Sequence, residues 1–281
     1  LSALEAKGIK PVRTADNATL LRRISYDLIG LPPTPREAET FLREARGNRQ
    51  EAITNLVDEL LSRPDFGVRW ARHWLDIARY SESTGGGRTL LFGEAWRYRD
   101  YVVNAFNSDK PYDRFVREQL AGDLLEGASL AEQQEALIAT AFLLLGPTNY
   151  ELQDKTVLEM DIVDEQLDTM GKAFLALTIG CARCHDHKFD PISTEDYYGL
   201  AGIMKSTKVV IHSNVSTWNK RPLPVSGEAL EKSKERKKRM SFLQKEIANL
   251  KKTTSPKKQT AIPVTALRGD RKSTRLNSSH Q

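Results

Sequence analysis

Cysteine placement constrains this 281-residue chain more than any other feature. Its two cysteines stand three apart with a histidine directly behind them, in Cys181-Ala182-Arg183-Cys184-His185. One such pair cannot staple a chain of this length, so stability must come from a hydrophobic core, and 281 residues suffice for one or two domains. Two cysteines and five histidines scattered at random would give this arrangement on the order of once in ten thousand chains. Sulfurs three residues apart within one turn point to the same side, so each can bond one of the two vinyl groups on a haem edge. His185 then brings an imidazole nitrogen beneath the ring. The pattern is that of a c-type haem attachment site, with Cys181, Cys184 and His185 holding the cofactor and His185 its iron. The same residues also allow a zinc knuckle of Cys181, Cys184 and His187 with one outside residue, or two buried thiols beside a surface histidine. Structural zinc sites usually show a second ligand pair at readable spacing, and no second cysteine pair exists here.

A second axial ligand has to approach the iron from the opposite face. His187 is only two residues from His185 and cannot easily wrap around the macrocycle. His73 is better placed: Phe66, Trp70, His73 and Ile77 follow helical spacing, which predicts an imidazole turned into the core and makes His73 the candidate distal ligand, although a satisfied core histidine is the simpler explanation. Met204, Met170 and Met160 are thioether candidates, and a five-coordinate iron needs no distal residue. Haem propionates call for arginines, whose planar fork grips a carboxylate with two bonds. Arg183, inside the motif, is the cofactor-binding candidate. Arg69, Arg72 and Arg79 share the His73 helix, where Arg72 and Asp76 also have the i, i+4 spacing of a routine surface pair, the expected role for Arg72.

Most of residues 1–206 read as helices, which gives an all-α fold: a multi-helix haem-binding domain. Leu20 to Ile29 is helix-like, ending at Gly30 before Pro32-Pro33, and Thr34-Pro35-Arg36-Glu37 is a capping box that starts the next helix. Ser129-Leu130-Ala131-Glu132 repeats the box. Between them, Glu51–Leu61, Asp65–Tyr80, Glu94–Phe106 and Pro111–Leu120 are helical by apolar spacing, with no strand-like alternation in competition. Met160, Val163, Leu167, Met170, Phe174 and Leu177 recur at three- and four-residue steps, predicting one long helix from Val157 to Leu177 that delivers the chain to Cys181. Thr194 opens a further helix. Val209 to Val215 reads as a short strand within a linker over 207–227, and Glu228 to Lys252 as a charged helical arm of coiled-coil type with Leu230, Phe242, Ile247 and Leu250 as its apolar set. Beyond Thr253 the Lys, Ser, Thr and Pro composition predicts a disordered tail over 253–281, and Arg271 to His280 resembles translated sequencing-adapter sequence foreign to the fold.

The formal charge of +5 hides a division. Residues 228–281 hold 15 Lys and Arg against 5 Asp and Glu, leaving 27 against 32 before them, so the helical part is net acidic and the tail basic. Aromatic residues are nearly absent from the basic arm, so a nucleic-acid stacking platform is not expected and a solvated helix is the default. No apolar run approaches the roughly 20 residues of a membrane-spanning helix. The chain opens at Leu1 without Met or a signal-like stretch, so a start is expected to have been cut away and export is not read from it directly. Ser83-Thr84-Gly85-Gly86-Gly87-Arg88 resembles a phosphate loop only superficially, lacking the Gly-Lys-Ser/Thr ending, and is expected to be a mobile loop near the haem edge.

Three stretches carry a family resemblance: Leu21 to Thr34 (LRRISYDLIGLPPT), Arg72 to Tyr80 (RHWLDIARY), and Gly180 through Cys184-His185-Asp186-His187-Lys188-Phe189-Asp190-Pro191-Ile192. They resemble the planctomycete cytochrome c-like family long catalogued as a domain of unknown function, over about residues 15–206. The resemblance implies large exported proteins in which this helical domain stands beside another cytochrome c domain and a further domain of unknown function. It also implies haem c at Cys181, Cys184 and His185, and it supplies no substrate, reaction or distal ligand. The expectation is a cytochrome domain, periplasmic or at the cell surface, passing electrons to a redox partner protein or an adjacent cytochrome domain. The alternatives are a haem-dependent oxidoreductase or peroxidase with an open distal face, in which His73 serves as acid and base, and a zinc-stabilised structural or interaction module.

Overall fold

Helix boundaries follow the punctuation of the sequence. In the computed structural model, which describes residues 2–127 and 129–254, short α1 (Ser2–Ala6) precedes α2 (Asn17–Leu28), whose first turn is capped by Asp16 accepting the Thr19 amide at 2.7 Å. Gly30, at φ +72°, ends that helix ahead of the two prolines. The Thr34/Glu37 capping box starts α3 (Pro35–Gly47), and Asn48 caps α4 (Arg49–Leu61). These helices close a small core on Leu21, Phe41, Leu56 and Leu60.

A larger core is built by α5 (Pro64–Ile77), α6 (Ala95–Asn107), α7 (Tyr112–Ala121), α8 (Leu130–Ala139, started by the Ser129/Glu132 box), α9 (Lys155–Met170) and α10 (Thr194–Met204). Trp74 sits in it, donating to Tyr98 Oη and Gln119 Oε1, each at 3.0 Å, so the polar atoms of this aromatic cluster satisfy one another. Both cores belong to one unit, Leu1–Pro224; Val225–Gln281 forms the other.

On α5 the expected inward face is rotated. Gly67, Ala71, Trp74 and Ala78 are buried, whereas Trp70, His73 and Ile77 are exposed, with Trp70 and His73 against each other at 5.5 Å between ring centroids; only Phe66 turns inward, against the smaller core. Both sets obey helical spacing. The crossing with α6 selects the small one, because the Gly67 amide donates to Asn107 Oδ1 at 2.8 Å and a Cβ there would lie 2.5 Å from the Val103 carbonyl oxygen. Gly67→Ala is therefore expected to cost about 1–2 kcal/mol by overpacking, even after the ~1 kcal/mol that Ala gains in helix propensity. Urea denaturation measures this, and an unchanged midpoint would contradict the close crossing.

The helix predicted from Val157 to Leu177 is interrupted. α9 passes at Gly171 into a π-helical turn, Gly171–Leu175, and Ala176 at φ +55° closes it. Val163 and Leu167 of the expected stripe are buried, joined by Leu158 and Ile162; Met160, Met170, Phe174 and Leu177 are half-buried.

The stretch read as a linker contains a hairpin, β1 (Val210–Ile211) antiparallel to β2 (Thr217–Trp218), with Trp218 edge-on to Phe92 at 4.7 Å and to Tyr150 at 5.9 Å. The Gly85–Gly87 loop is also docked rather than free. Gly85 bridges to Thr148, the Arg88 amide donates to Glu151 Oε2 at 3.1 Å, and Thr84 is fully buried. In the second unit α11 (Gly227–Thr254) extends the predicted arm at both ends; its apolar residues, now including Met240 and Leu243, are exposed. Of the tail predicted from residue 253, only Thr253 and Thr254 fall within the described residues. Among the described residues no helix is long and apolar enough to cross a membrane.

Candidate functional site

The interruption of α9 builds the site. After Ala176 the chain forms a 3₁₀ turn, Ile179–Arg183, in which residues three apart lie one above the other. Ile179 and Ala182 are buried and anchor one edge; Cys181 and Cys184, both free thiols, are exposed on another. Cys181 thus lies within the 3₁₀ turn and Cys184 caps its end.

The two histidines beside the cysteines are in opposite states. His185 is exposed, and its Nδ1 lies 2.8 Å from the Asp186 carbonyl oxygen. A carbonyl only accepts, so Nδ1 donates and Nε2 keeps its lone pair, the tautomer a metal-binding imidazole needs. His187 is 7% exposed. Its Nδ1 accepts from the Phe189 amide at 3.3 Å and the Asp190 amide at 2.9 Å, so Nε2 carries the proton and donates to Thr178 Oγ1 at 3.0 Å. Those two amides occupy the Nδ1 lone pair, and the Asp190 carboxylate 3.2 Å away is a neighbour rather than an ion-pair partner. His187 ties the loop after the motif to Thr178, just before the cysteine turn. The loop then closes on α10, where Asp186 Oδ1 accepts the Thr194 amide at 2.8 Å and Ser193 with Asp196 forms a capping box. The Ser193 amide bond holds the Asp196 carboxyl below its ordinary range.

Arg183 does not point to open space. Its Nη1 meets Asp164 Oδ2 at 3.1 Å and its Nη2 meets Asp161 Oδ1 at 3.4 Å. Burial works against the guanidinium charge, but the Asp164 hydrogen bond and field outweigh it and raise its pKa. The expected propionate grip therefore finds this guanidinium already engaged. Beside Cys181 opens a cleft of about 600 Å³ walled by Asp161, Asp164, Glu165 and Asp168 of α9. Its acidity is mostly compensated: Arg183 faces the first two, Lys172 pairs with Asp168, and Arg79 meets Glu165 at 2.5 Å. Burial lowers the Arg79 pKa and raises that of Glu165. Arg79 stands at φ +55° with its guanidinium over the Phe142 ring at 5.8 Å. Acids at residues 161, 164, 165 and 168 share one helical face, a spacing legible in the sequence and passed over there.

Residues 1–209 match a family model, PSCyt2, described as a protein of unknown function (DUF1549). The chain belongs to this family. PSCyt2 is a planctomycete cytochrome c-like domain family of unknown function. The match spans both cores, the cysteine turn and α10, and stops just before β1. No curated protein and no solved structure matches the chain.

The donor set of this PSCyt2 domain fits a covalently attached haem: two exposed thiols on one edge and an adjacent imidazole with a free Nε2. The remaining ligand candidates fare differently. The inward imidazole on which a distal role for His73 rests is absent, since His73 is exposed on α5. Met204 is buried in the larger core, and Met170 packs against it half-buried. His187 has both nitrogens engaged, which leaves it no lone pair for a zinc knuckle. Among the described residues no group of three or more His, Cys, Asp or Glu side chains is placed to hold a metal ion.

Proposed function

We propose that this PSCyt2 domain is a c-type cytochrome that passes electrons. Cys181 and Cys184 would each add across one haem vinyl group, the sulfur bonding one carbon and the thiol hydrogen going to the other, so attachment consumes no oxidant. His185 Nε2 would bind the iron. The observation that carries this reading is the hydrogen bond from His185 Nδ1 to the Asp186 carbonyl, which frees Nε2 beside two exposed thiols. The bound group would supply a one-electron couple, its potential set by ligation, burial and nearby charge. The protein's own part is to hold the thiols reduced and aligned, fix the imidazole tautomer, and leave a haem edge accessible to a redox partner protein or an adjacent cytochrome domain. Attachment of this kind would call for a compartment outside the cytoplasm, the periplasm or the cell surface. In this reading α11 serves as a solvated arm of coiled-coil type.

The test is expression with export in a host competent for cytochrome c maturation, followed by intact mass and visible spectroscopy. One haem per chain is expected, retained in denaturant. His185→Ala is expected to keep the added mass while changing the spectrum, because the thioethers survive and the iron loses its ligand. Colourless protein with both thiols unmodified would overturn the proposal, and bound zinc in that material would favour a structural module. Addition of cyanide separates the carrier from a haem oxidoreductase: an unchanged spectrum supports a carrier, and a shifted one reveals an open distal face.

A further inference from the structure

Attaching two sulfurs to two vinyl groups at a fixed separation requires both thiols to be in place together, and a surface turn has to be held to achieve that. Ala182 is fully buried and pins one side of the turn. On the other side the main tie is one carboxylate. Asp164 Oδ1 accepts from Tyr197 Oη at 2.6 Å, and Oδ2 accepts from Arg183 Nη1 at 3.1 Å, so one side chain of α9 joins the cysteine turn to α10. The Tyr198 hydroxyl adds a bond to the Arg183 carbonyl at 3.2 Å, from the same helix. Asp161 is a weaker second partner at 3.4 Å.

We propose that Asp164 is a positioning residue that presets the Cys181–His185 turn for haem attachment. The proposal deepens the cytochrome reading and rests on it for its purpose, while the preset itself is a property of the haem-free chain. The Arg183 pair adds little to global stability, whereas the bond from the buried Tyr197 hydroxyl is the part of this carboxylate's role that bears on folding. The Arg183 and Asp164 side chains are 32% and 30% exposed, and pairs so placed contribute little to stability. Alanine is also the best helix former for an α9 position. What the carboxylate does hold is the side chain between the two cysteines: without it Arg183 keeps only the longer Asp161 contact at 3.4 Å and the Tyr198 bond to its carbonyl, so the Cys184 end of the turn is held less firmly.

The experiment uses the full chain in two forms. In the haem-free, reduced protein the rate of bridging by dibromobimane, which fluoresces only when both thiols have reacted, reports the paired placement of Cys181 and Cys184. Iodoacetamide reports each thiol separately. For Asp164→Ala the bridging rate is expected to fall roughly ten-fold with single-thiol alkylation unchanged, and the haem-loaded fraction after maturation to fall with it. Asp164→Asn, whose amide oxygen still accepts from Tyr197 but whose NH2 group cannot accept from Arg183, is expected to lie between Asp164→Ala and the parent. Folded Asp164→Ala that bridges at the parent rate overturns the proposal. Slower bridging in a protein that never takes up haem supports the preset and removes the cytochrome reading, so the two failures are distinguishable. Should Asp164→Ala fail to fold because Tyr197 loses its partner, Asp164→Ala combined with Tyr197→Phe removes the unpaired hydroxyl, and its bridging rate decides.

Discussion

Replacing Cys181 and Cys184 together by alanine is expected to take haem content from one per chain to about none after denaturing purification, while the helical domain stays folded. Both parts follow from exposure. The thiols lie on the outer edge of the 3₁₀ turn, and the buried anchors of that turn are Ile179 and Ala182, so the substitutions leave the core untouched. Surface changes of this kind usually alter stability by less than about 0.5 kcal/mol. The remaining bond, from an exposed His185 to iron, offers no enclosing pocket to retain a haem once the thioethers are gone. Single substitutions are expected to keep one thioether and to give a spectrum intermediate between parent and double variant. Mass spectrometry, the denatured absorption spectrum and far-UV circular dichroism check the three statements. Double-variant protein that still carries haem through denaturation would show that attachment lies elsewhere.

Glu118→Ala is expected to be the most damaging single substitution away from the site. Its side chain is 1% exposed and is the common acceptor for Tyr101 Oη at 2.8 Å, Lys110 Nζ at 2.6 Å and Arg114 Nε at 2.8 Å, which join α6, α7 and the turn between them. Lys110 is itself 9% exposed and stands over the Tyr101 ring at 4.8 Å. Removing the carboxylate leaves that ammonium buried with only Glu135, at 3.1 Å, to answer it. Breaking a buried pair from one side costs roughly 3–5 kcal/mol, about 10 °C in Tm for a domain of this size. Burial works against the Glu118 charge, yet the bonds from Lys110, Arg114 and Tyr101 outweigh it and hold its pKa below the ordinary 4.5. Its stabilisation is therefore fully present above pH 4.5 and is lost as pH falls through the lower folded value. The Tm gap between parent and variant should be widest near neutrality and close in acid. A gap independent of pH would mean that the damage is a packing defect and not the loss of a charge.

Local chemistry was legible wherever a few adjacent residues decide the outcome. The capping boxes at Thr34 and Ser129 are where the sequence puts them, because a hydroxyl and a carboxylate three residues apart satisfy two free amides without help from the rest of the chain. The inward face of α5 was misread because two residue sets share its helical period. Trp70, His73 and Ile77 are the more apolar-looking set, but α6 comes so close that only glycine fits at 67. The break after Met170 was hidden for a related reason: apolar spacing runs on smoothly through Phe174 and Leu177, whereas Gly171 packs where a Cβ would stand 2.7 Å from Ile179. The hairpin around Trp218 was invisible as such, since what holds it is a distant pair of rings, Phe92 and Tyr150.

The sequence by itself determined that the chain is helical and where most helices begin, that its two thiols and one imidazole stand together in one short motif, and which family it belongs to. Those are short-range properties, carried by side-chain type and spacing along a few consecutive residues. Tertiary structure alone decided which side of α5 is buried, that Arg183 is committed to Asp161 and Asp164, and that His187 is tied into the loop while His185 keeps a nitrogen free. Each of those outcomes depends on groups brought together from separate elements or on the direction of one hydrogen bond, and neither is encoded in the local pattern of residue types.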